Sequence, residues 1–435
     1  MSDDPIEFIK TFEKKFNANK HEPRMQFLVN FRPRELHFYI LISIQLKVSY
    51  RKNSPVFEMF EKFPVIHWGE TVLDLLAKFA KEKPKHPSMS GGENGVTFVE
   101  AALRAFPEYF ADNLGQVFLS GIRLPGHLAT YMWKKFGASY AEFIKFHIEA
   151  NENDQEEQCR ALSIAFLIED KALTKFAKDT IRHHFSVPRK LVEGLNLTNE
   201  MLNAYLLEQG FIWYGNDLYQ LYPEEAWHFV FPEGYLKEDT SHESFVAHRP
   251  DPKEYVFGGA MMGQDHKGRS KRIQHLLSLD PIPKHLQIRG LHRLIFACDL
   301  NHVILNPGIS YQKHAPNGGI TLLDDDWQGV DQTSPNTLPF LRSAKVKFVS
   351  QGPAWYYQRY VKGHNHYRLG GPPVFISGSF YPDCKQCKRT MRYLMELDSS
   401  LPLSTGQPLE WGIEGMAYFY WCDACSVSAV HWFSD

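Results

Sequence analysis

The chain has 435 residues, of which 43% are hydrophobic and 23% charged. That is a globular balance, long enough for two or three domains of roughly 150 residues, and it excludes a disordered, collagen-like or coiled-coil chain. Lys and Arg number 48 against 50 Asp and Glu, a formal charge of −2, which argues against a protein whose main work is gripping nucleic acid.

The first residues, Met1 to Pro5, are acidic and lack the charged and apolar regions of a signal peptide. The longest strongly apolar run, Leu36 to Val48, contains His37, Gln45 and Lys47 and is too short to span a bilayer. These features predict a cytoplasmic protein with no membrane partner. Leu46, Val48 and Tyr50 alternate with Lys47, Ser49 and Arg51, so Leu36 to Tyr50 favours a strand, with a buried helix as the alternative because short apolar runs do not separate the two by period.

Helical spacing follows. Val72, Leu73, Leu75, Leu76, Phe79 and Ala80 recur at three- and four-residue steps. Similar patterns run over Phe98 to Phe110 (with Thr97 as N-cap), Ala138 to Ile148, Glu157 to Ile168, Ala172 to Phe185 and Asn199 to Glu208. The acidic stretch Asn151 to Glu157 suits the start of a helix, where carboxylates meet the positive end of the dipole. Residues 1–210 therefore form a mainly helical domain.

Beyond 210 the texture turns to short aromatic runs separated by Gly, Pro, Asn and Asp. Phe211 to Tyr214, Trp227 to Phe231 and Tyr255 to Phe257 read as strands connecting the two halves, over 211–257. Residues 258–435 are predicted to be a duplicated β domain, with copies of about 258–369 and 370–435. Gly258-Gly259 matches Gly370-Gly371, Arg272 to Asp280 matches Thr390 to Asp398, and Cys298-Asp299 matches Cys422-Asp423. The offsets grow from 112 to 118 to 124, as they would if loops differ in length while strands agree. The fold class is thus α+β: an N-terminal all-α layer, then a pseudo-duplicated, mainly antiparallel β domain with a pair of zinc knuckles.

The chain has six cysteines, too few for a disulfide scaffold. Four of them form the sharpest motif. Cys384 and Cys387 make one C-x2-C, and Cys422 and Cys425 make another, 34 residues on. Two residues between cysteines let a tight turn aim both sulfurs at one point, and two such turns supply a tetrahedral ion. Soft sulfur ligands select zinc or iron, and four thiolates close the shell, so the expected cofactor is a structural Zn2+. Neither turn has a Gly after its second cysteine; Lys388 and Ser426 stand there. In the first copy the turn Gly263 to Gly268 replaces the first knuckle, leaving Cys298; His266 and His302 could join it in a substitute metal site, but a buried free thiol and two surface histidines is the favoured reading.

Other clusters read first as surface or packing. His364 and His366 lie in an aromatic, basic stretch that fits a linker loop between copies. Lys267, Arg269, Lys271 and Arg272 form a solvated turn that, as a basic face, would suit phosphate. Asp324 to Asp326 reads as an exposed acidic turn. No P-loop, G-x-G-x-x-G, H-E-x-x-H or G-x-S-x-G occurs.

The run Gly370-Gly-Pro-Pro373, Tyr381-Pro-Asp-Cys384-Lys-Gln-Cys387-Lys-Arg-Thr-Met391, Leu397-Asp398, Trp411, Gly415 and Trp421-Cys-Asp-Ala-Cys425 resembles the bacterial YwqG-like domain family. The resemblance covers about residues 200–435 and is strongest over 370–432. It implies a tandem β arrangement and, by analogy with members that look like immunity proteins, a cytosolic protein that binds a cognate toxin and occludes its active surface. The competing expectation is a hydrolase-like enzyme with a scattered site in the cleft between the helical and β halves. A third, a nucleic-acid module, is disfavoured by the net charge.

Overall fold

The computed structural model describes residues 69–82, 99, 102–103, 107–122, 124, 126–185, 200–214, 217–236, 251–305, 308–323, 339–351, 367–375, 378–412 and 415–433. The strand expected over Leu36 to Tyr50, the loop with His364 and His366, and Asp324 to Asp326 lie outside them. The chain divides into two compact units: Met1–Glu152 with Ile164–Thr174, and Asn153–Ser163 with Lys175–Asp435. The change of texture near 210 does not coincide with that division.

Among the described residues, the first unit is helical. Helix α1 (Gly69–Glu82) buries Val72, Leu75 and Leu76, the apolar positions of its spacing. Helices α2 (Leu114–Leu119), α3 (Gly126–Phe136) and α4 (Ala141–Ala150) follow. Phe118 of α2 meets Trp133 of α3 and Phe143 of α4 edge-on, at 6.3 and 5.9 Å between ring centroids. A 3-10 turn, Gly137–Tyr140, starts the segment expected to be helical from Ala138. Helices α5 (Gln155–Ala165) and α6 (Lys171–Thr180) run across the division between units. Each starts on an aspartate: Asp154 Oδ1 accepts the Glu157 N–H at 3.2 Å, and Asp170 Oδ1 accepts the Leu173 N–H at 2.7 Å. These carboxylates satisfy orphan N–H groups of the first turn. A π turn, Ile181–Phe185, ends α6.

In the second unit α7 (Glu200–Glu208) leads into a two-stranded hairpin, β1 (Phe211–Tyr214) with β2 (Asp217–Gln220). A single twelve-stranded sheet then takes β3 (Ala226–Val230), β4 (Tyr255–Phe257), β5 (Ala260–Gln264), β6 (Ser270–Leu279), β7 (Leu294–Cys298), β8 (Ser310–His314), β9 (Ile320–Leu322), β10 (Ala344–Gln351), β11 (Arg368–Gly370), β12 (Arg392–Asp398), β15 (Met416–Cys422) and β16 (Val427–Phe433). A short pair, β13 (Leu401–Pro402) and β14 (Pro408–Leu409), stands apart, and helix α8 (Leu300–Leu305) follows β7. The order in the sheet is β4-β10-β3-β11-β12-β15-β16-β8-β9-β5-β6-β7. A further β4–β6 pairing closes eleven strands into a ring, with β7 attached to β6. Pairings are antiparallel except the single parallel pair Gln264↔Thr321. Two of the strands expected to connect the halves, β3 and β4, are therefore members of this ring. The β structure begins before 258 because Trp227 to Phe231 has partners on both edges.

Both faces of the central strands are covered. Leu369, Met395, Phe419 and Val430 face one core, together with Phe229, Phe257, Phe296 and Phe348. Tyr393, Tyr418, Tyr420 and Ala429 face a second core with Met391 and Cys384. Burial on both sides explains why β15 is apolar at all seven positions rather than alternating.

The self-similar segments occupy matching places in the register. In β4–β6, Val256 pairs with Ser278 and Phe257 with Leu277. In β11–β12, Arg368 pairs with Glu396 and Leu369 with Met395, offsets of 112 and 118. A bulge interrupts β6–β7 between His275 and Leu277, and β12–β15 between Tyr393 and Met395. Gly258 and Gly370 both have left-handed backbones, with φ of 71° and 76°. A Cβ at Gly258 would collide with the Arg342 carbonyl, and one at Gly370 with the Glu225 carbonyl.

Candidate metal centre

The first knuckle is the turn closed by the Asp383↔Thr390 bridge, just ahead of strand β12. The Cys384 N–H donates to the Arg389 carbonyl at 2.8 Å, and the Lys388 N–H donates to the Cys384 carbonyl at 2.9 Å. The second knuckle is the β15–β16 turn, whose last ladder pair is Cys422↔Val427. Lys388 and Ser426 stand where a Gly is common, and both adopt left-handed φ, 59° and 48°. The turns thus keep the required backbone without the residue that adopts it at least cost, a strain of about 1–2 kcal/mol each.

The two turns bring Cys384, Cys387, Cys422 and Cys425 together, with all four Sγ atoms within 4.8 Å of one another. Cys387 Sγ and Cys422 Sγ are 3.6 Å apart, and none of the four is in a disulfide. Thiolates about 2.3 Å from a tetrahedral ion sit about 3.8 Å from each other, and the Cys387–Cys422 separation of 3.6 Å is close to that. Cys384 and Cys422 are buried, while Cys387 and Cys425 are partly exposed. Burial pushes the Cys422 thiol well up and the Cys425 thiol up to about 11. Burial also raises Cys387, but hydrogen bonds from the Arg389 N–H and the neighbouring thiols outweigh it and leave this thiol below its ordinary value. Cys387 is accordingly the sulfur best prepared to meet a cation.

The groups around the cage come from far along the chain. Strand β8 touches both knuckles: Tyr311 Oη donates to the Asp383 carbonyl at 2.9 Å, and the His314 N–H donates to the Ser426 carbonyl at 2.9 Å. Lys313 Nζ donates to the Cys425 carbonyl and, at 3.2 Å, to Gln386 Oε1, tying one turn to the other. Arg392 holds Asp423 with two bonds of 2.8 and 3.0 Å, and Trp421 Nε1 donates to the same carboxylate at 2.9 Å. A divalent ion with four thiolates would carry a net charge of −2, and the Lys313 ammonium on the Cys425 carbonyl sets a positive charge beside it, whereas the Arg392 charge is taken up by Asp423. None of these supporting groups announces itself in the sequence. Lys313 and Tyr311 lie more than 70 residues from their knuckle partners, and ordinary strand residues carry no spacing signal.

The chain matches no protein-family model, no curated protein and no solved structure. What the centre is rests on its own chemistry.

The remaining candidates fall elsewhere. Cys298 is buried on β7 and His266 is exposed on the β5–β6 turn, and the side chain of His302 lies outside the described residues. Among the described residues the four cysteines are the one cluster fit for a metal. Three of the four basic residues of the β5–β6 hairpin are engaged: Arg269 pairs with Asp265 at 2.6 Å, Lys271 with Asp299, and the Arg272 guanidinium lies 4.7 Å from the Phe340 ring centre. No helix of the described residues is long and apolar enough to cross a membrane.

Proposed function

We propose that the chain is a cytoplasmic binding protein whose β domain is stapled by a structural zinc ion held by Cys384, Cys387, Cys422 and Cys425. One observation supports the structural-zinc reading: four sulfurs within 4.8 Å of one another can fill a four-ligand shell. A catalytic zinc keeps a position open for water or substrate, and a closed thiolate shell does not. Zinc is favoured over iron because the ion's work here is to hold two turns together, which needs no change of oxidation state. The β domain is read as a duplicated unit, supported by the matching registers of β4–β6 and β11–β12 and the paired bulges. In the first copy the β5–β6 turn takes the place of the first knuckle. The Asp265 N–H donates to the Arg269 carbonyl as the Cys384 N–H does to Arg389, and Gly268 takes the left-handed position of Lys388.

The partner we propose is a cognate protein toxin, neutralised by covering its active surface. The support is the likeness of residues 370–432 to a family whose members look like immunity proteins, together with a centre that holds a fold rather than performs a reaction. Two measurements test this. Metal analysis of purified protein should give one zinc per chain, and iron or no metal would overturn the structural-zinc assignment. Affinity capture from the native host should return a stoichiometric protein that is toxic alone and tolerated with this chain. Capture of the chain alone from cells shown to express the neighbouring reading frames would overturn the toxin reading.

A further inference from the structure

A second constellation lies on β6, away from the sulfur cage. His275 Nδ1 is 2.9 Å from the Gly258 carbonyl, and His275 Nε2 is 2.7 Å from Ser278 Oγ. A carbonyl only accepts, so Nδ1 carries the proton and Nε2 offers its lone pair to the Ser278 hydroxyl. The ring is fixed from behind. The His275 backbone N–H donates to the Gly259 carbonyl at 3.0 Å, and the Gly258-Gly259 turn that presents both carbonyls is held against Arg342. The bulge between His275 and Leu277 puts residues 275 and 278 on one face of the strand, where a regular strand would put them on opposite faces. Burial lowers the imidazole pKa below its ordinary value, and the Gly258 hydrogen bond offsets this only in part, so the ring is neutral near pH 7. Ser278 is partly exposed, between Val256 and Ile295 on the neighbouring strands.

The matching positions in the second half of the sheet make the contrast. Tyr393 and Glu396 stand there, both fully buried. Glu396 pairs with Arg368 at 2.8 Å and accepts the Val374 N–H at 3.2 Å, so the segment after Gly371 lies over this face. In the first half the chain after Gly259 continues straight into β5, and Val256 remains 48% exposed beside Ser278.

We propose that Ser278 is a nucleophile activated by His275 and aimed at activated carboxylic esters with small apolar acyl groups. Ser278 Oγ attacks the acyl carbon while its proton passes to His275 Nε2. The C–O bond to the leaving alcohol breaks, and the imidazolium returns its proton to that oxygen, leaving an acyl-serine. Water then attacks the acyl carbon, gives a proton to Nε2, and regenerates the serine hydroxyl with release of the acid. The Gly258 carbonyl steadies the imidazolium through Nδ1–H, and Val256 and Ile295 give the acyl group an apolar floor.

The test uses the full-length protein, a fluorophosphonate probe and p-nitrophenyl acetate. We expect one phosphonate per chain, mapped by peptide mass spectrometry to Ser278, and a burst of p-nitrophenol of the same stoichiometry. Ser278→Ala should abolish both, with melting temperature and metal content unchanged. His275→Gln should slow labelling about a hundredfold, the lower range of a general base's contribution. An unlabelled Ser278 in wild-type protein overturns the proposal whether or not the histidine variant folds, and so does labelling at an equal rate in a folded His275→Gln.

Discussion

Lys313 shows how one side chain controls a centre it does not coordinate. Its ammonium bonds the Cys425 carbonyl and the Gln386 amide, so it joins the knuckles and sets a positive charge beside an anionic cage. Outer-shell partners of this kind are worth about 10–100-fold in metal affinity. Lys313→Gln should weaken zinc binding by that factor in a competition titration against a chromophoric chelator, with Lys313→Arg restoring most of it. Cys384→Ser or Cys422→Ser should lose the metal altogether and lower the melting temperature, since metal binding is coupled to folding. Normal zinc content in both serine variants would rule out the four-cysteine centre. At Lys388 the left-handed backbone predicts the opposite sign. Lys388→Gly should raise stability by about 1 kcal/mol in a denaturant melt, provided zinc is saturating. Proton competition belongs at this scale too. The Cys422 and Cys425 thiols are both raised, so metal entry near pH 7 expels at least two protons. Apparent zinc affinity should then fall at least about a hundredfold for each unit of pH below 7, read by the same titration.

At the scale of elements, the strap from Gly370 to Val374 hangs on a buried charge pair. Arg368 bonds Glu396 at 2.8 Å and the Pro372 carbonyl at 2.8 Å, and Tyr418 Oη donates to the Val374 carbonyl at 2.8 Å. Removing one partner strands the other charge where water cannot reach it. Glu396→Leu should cost about 3–5 kcal/mol in a denaturant melt, whereas replacing both partners by apolar residues should recover most of that loss. The knuckle cysteines and their tetrahedral logic were legible in the sequence because the C-x2-C spacing is local. The Gly-Gly pairs stood out in the sequence as matching segments, but not as turns pressed against carbonyls of residues 225 and 342. Strand β8 was not legible as the brace of the cage, because its three side-chain contacts there join residues more than 70 apart in sequence. Helices α1, α5, α6 and α7 were read to within about a turn, whereas α2 and α3 were not anticipated and residues 107–110, read as the end of a helix, are a turn. The misreading at Ala138 reflects a 3-10 turn whose apolar spacing is indistinguishable over four residues from an α start.

For the whole molecule, acid should act through sheltered histidines as well as through the cysteine cage. Burial pushes His285 and His314 down to about 4. The folded chain therefore binds fewer protons at these sites than the unfolded chain, whose histidines titrate near 6.5. Stability from each is complete above about pH 6.5 and is lost as pH falls toward 4, by up to roughly 3 kcal/mol per histidine. With excess chelator present to remove the metal contribution, the melting temperature should drop across that window, and His314→Gln should flatten the drop. An unchanged pH profile in that variant would show that His314 gains its proton without unfolding.

Strand β8 also sets a timetable. It lies between β9, which follows it directly, and β16, which begins 113 residues after it ends. At about 5–20 residues per second, a ribosome takes on the order of ten seconds to make that stretch. For that interval the emerging protein carries an open row of N–H and C=O groups along β8, with Tyr311 and Lys313 lacking the turns they later brace. An unpaired edge of this kind invites pairing with another chain. Cellular yield should therefore depend on synthesis speed and chaperone supply more steeply than the stability of the finished ring would suggest.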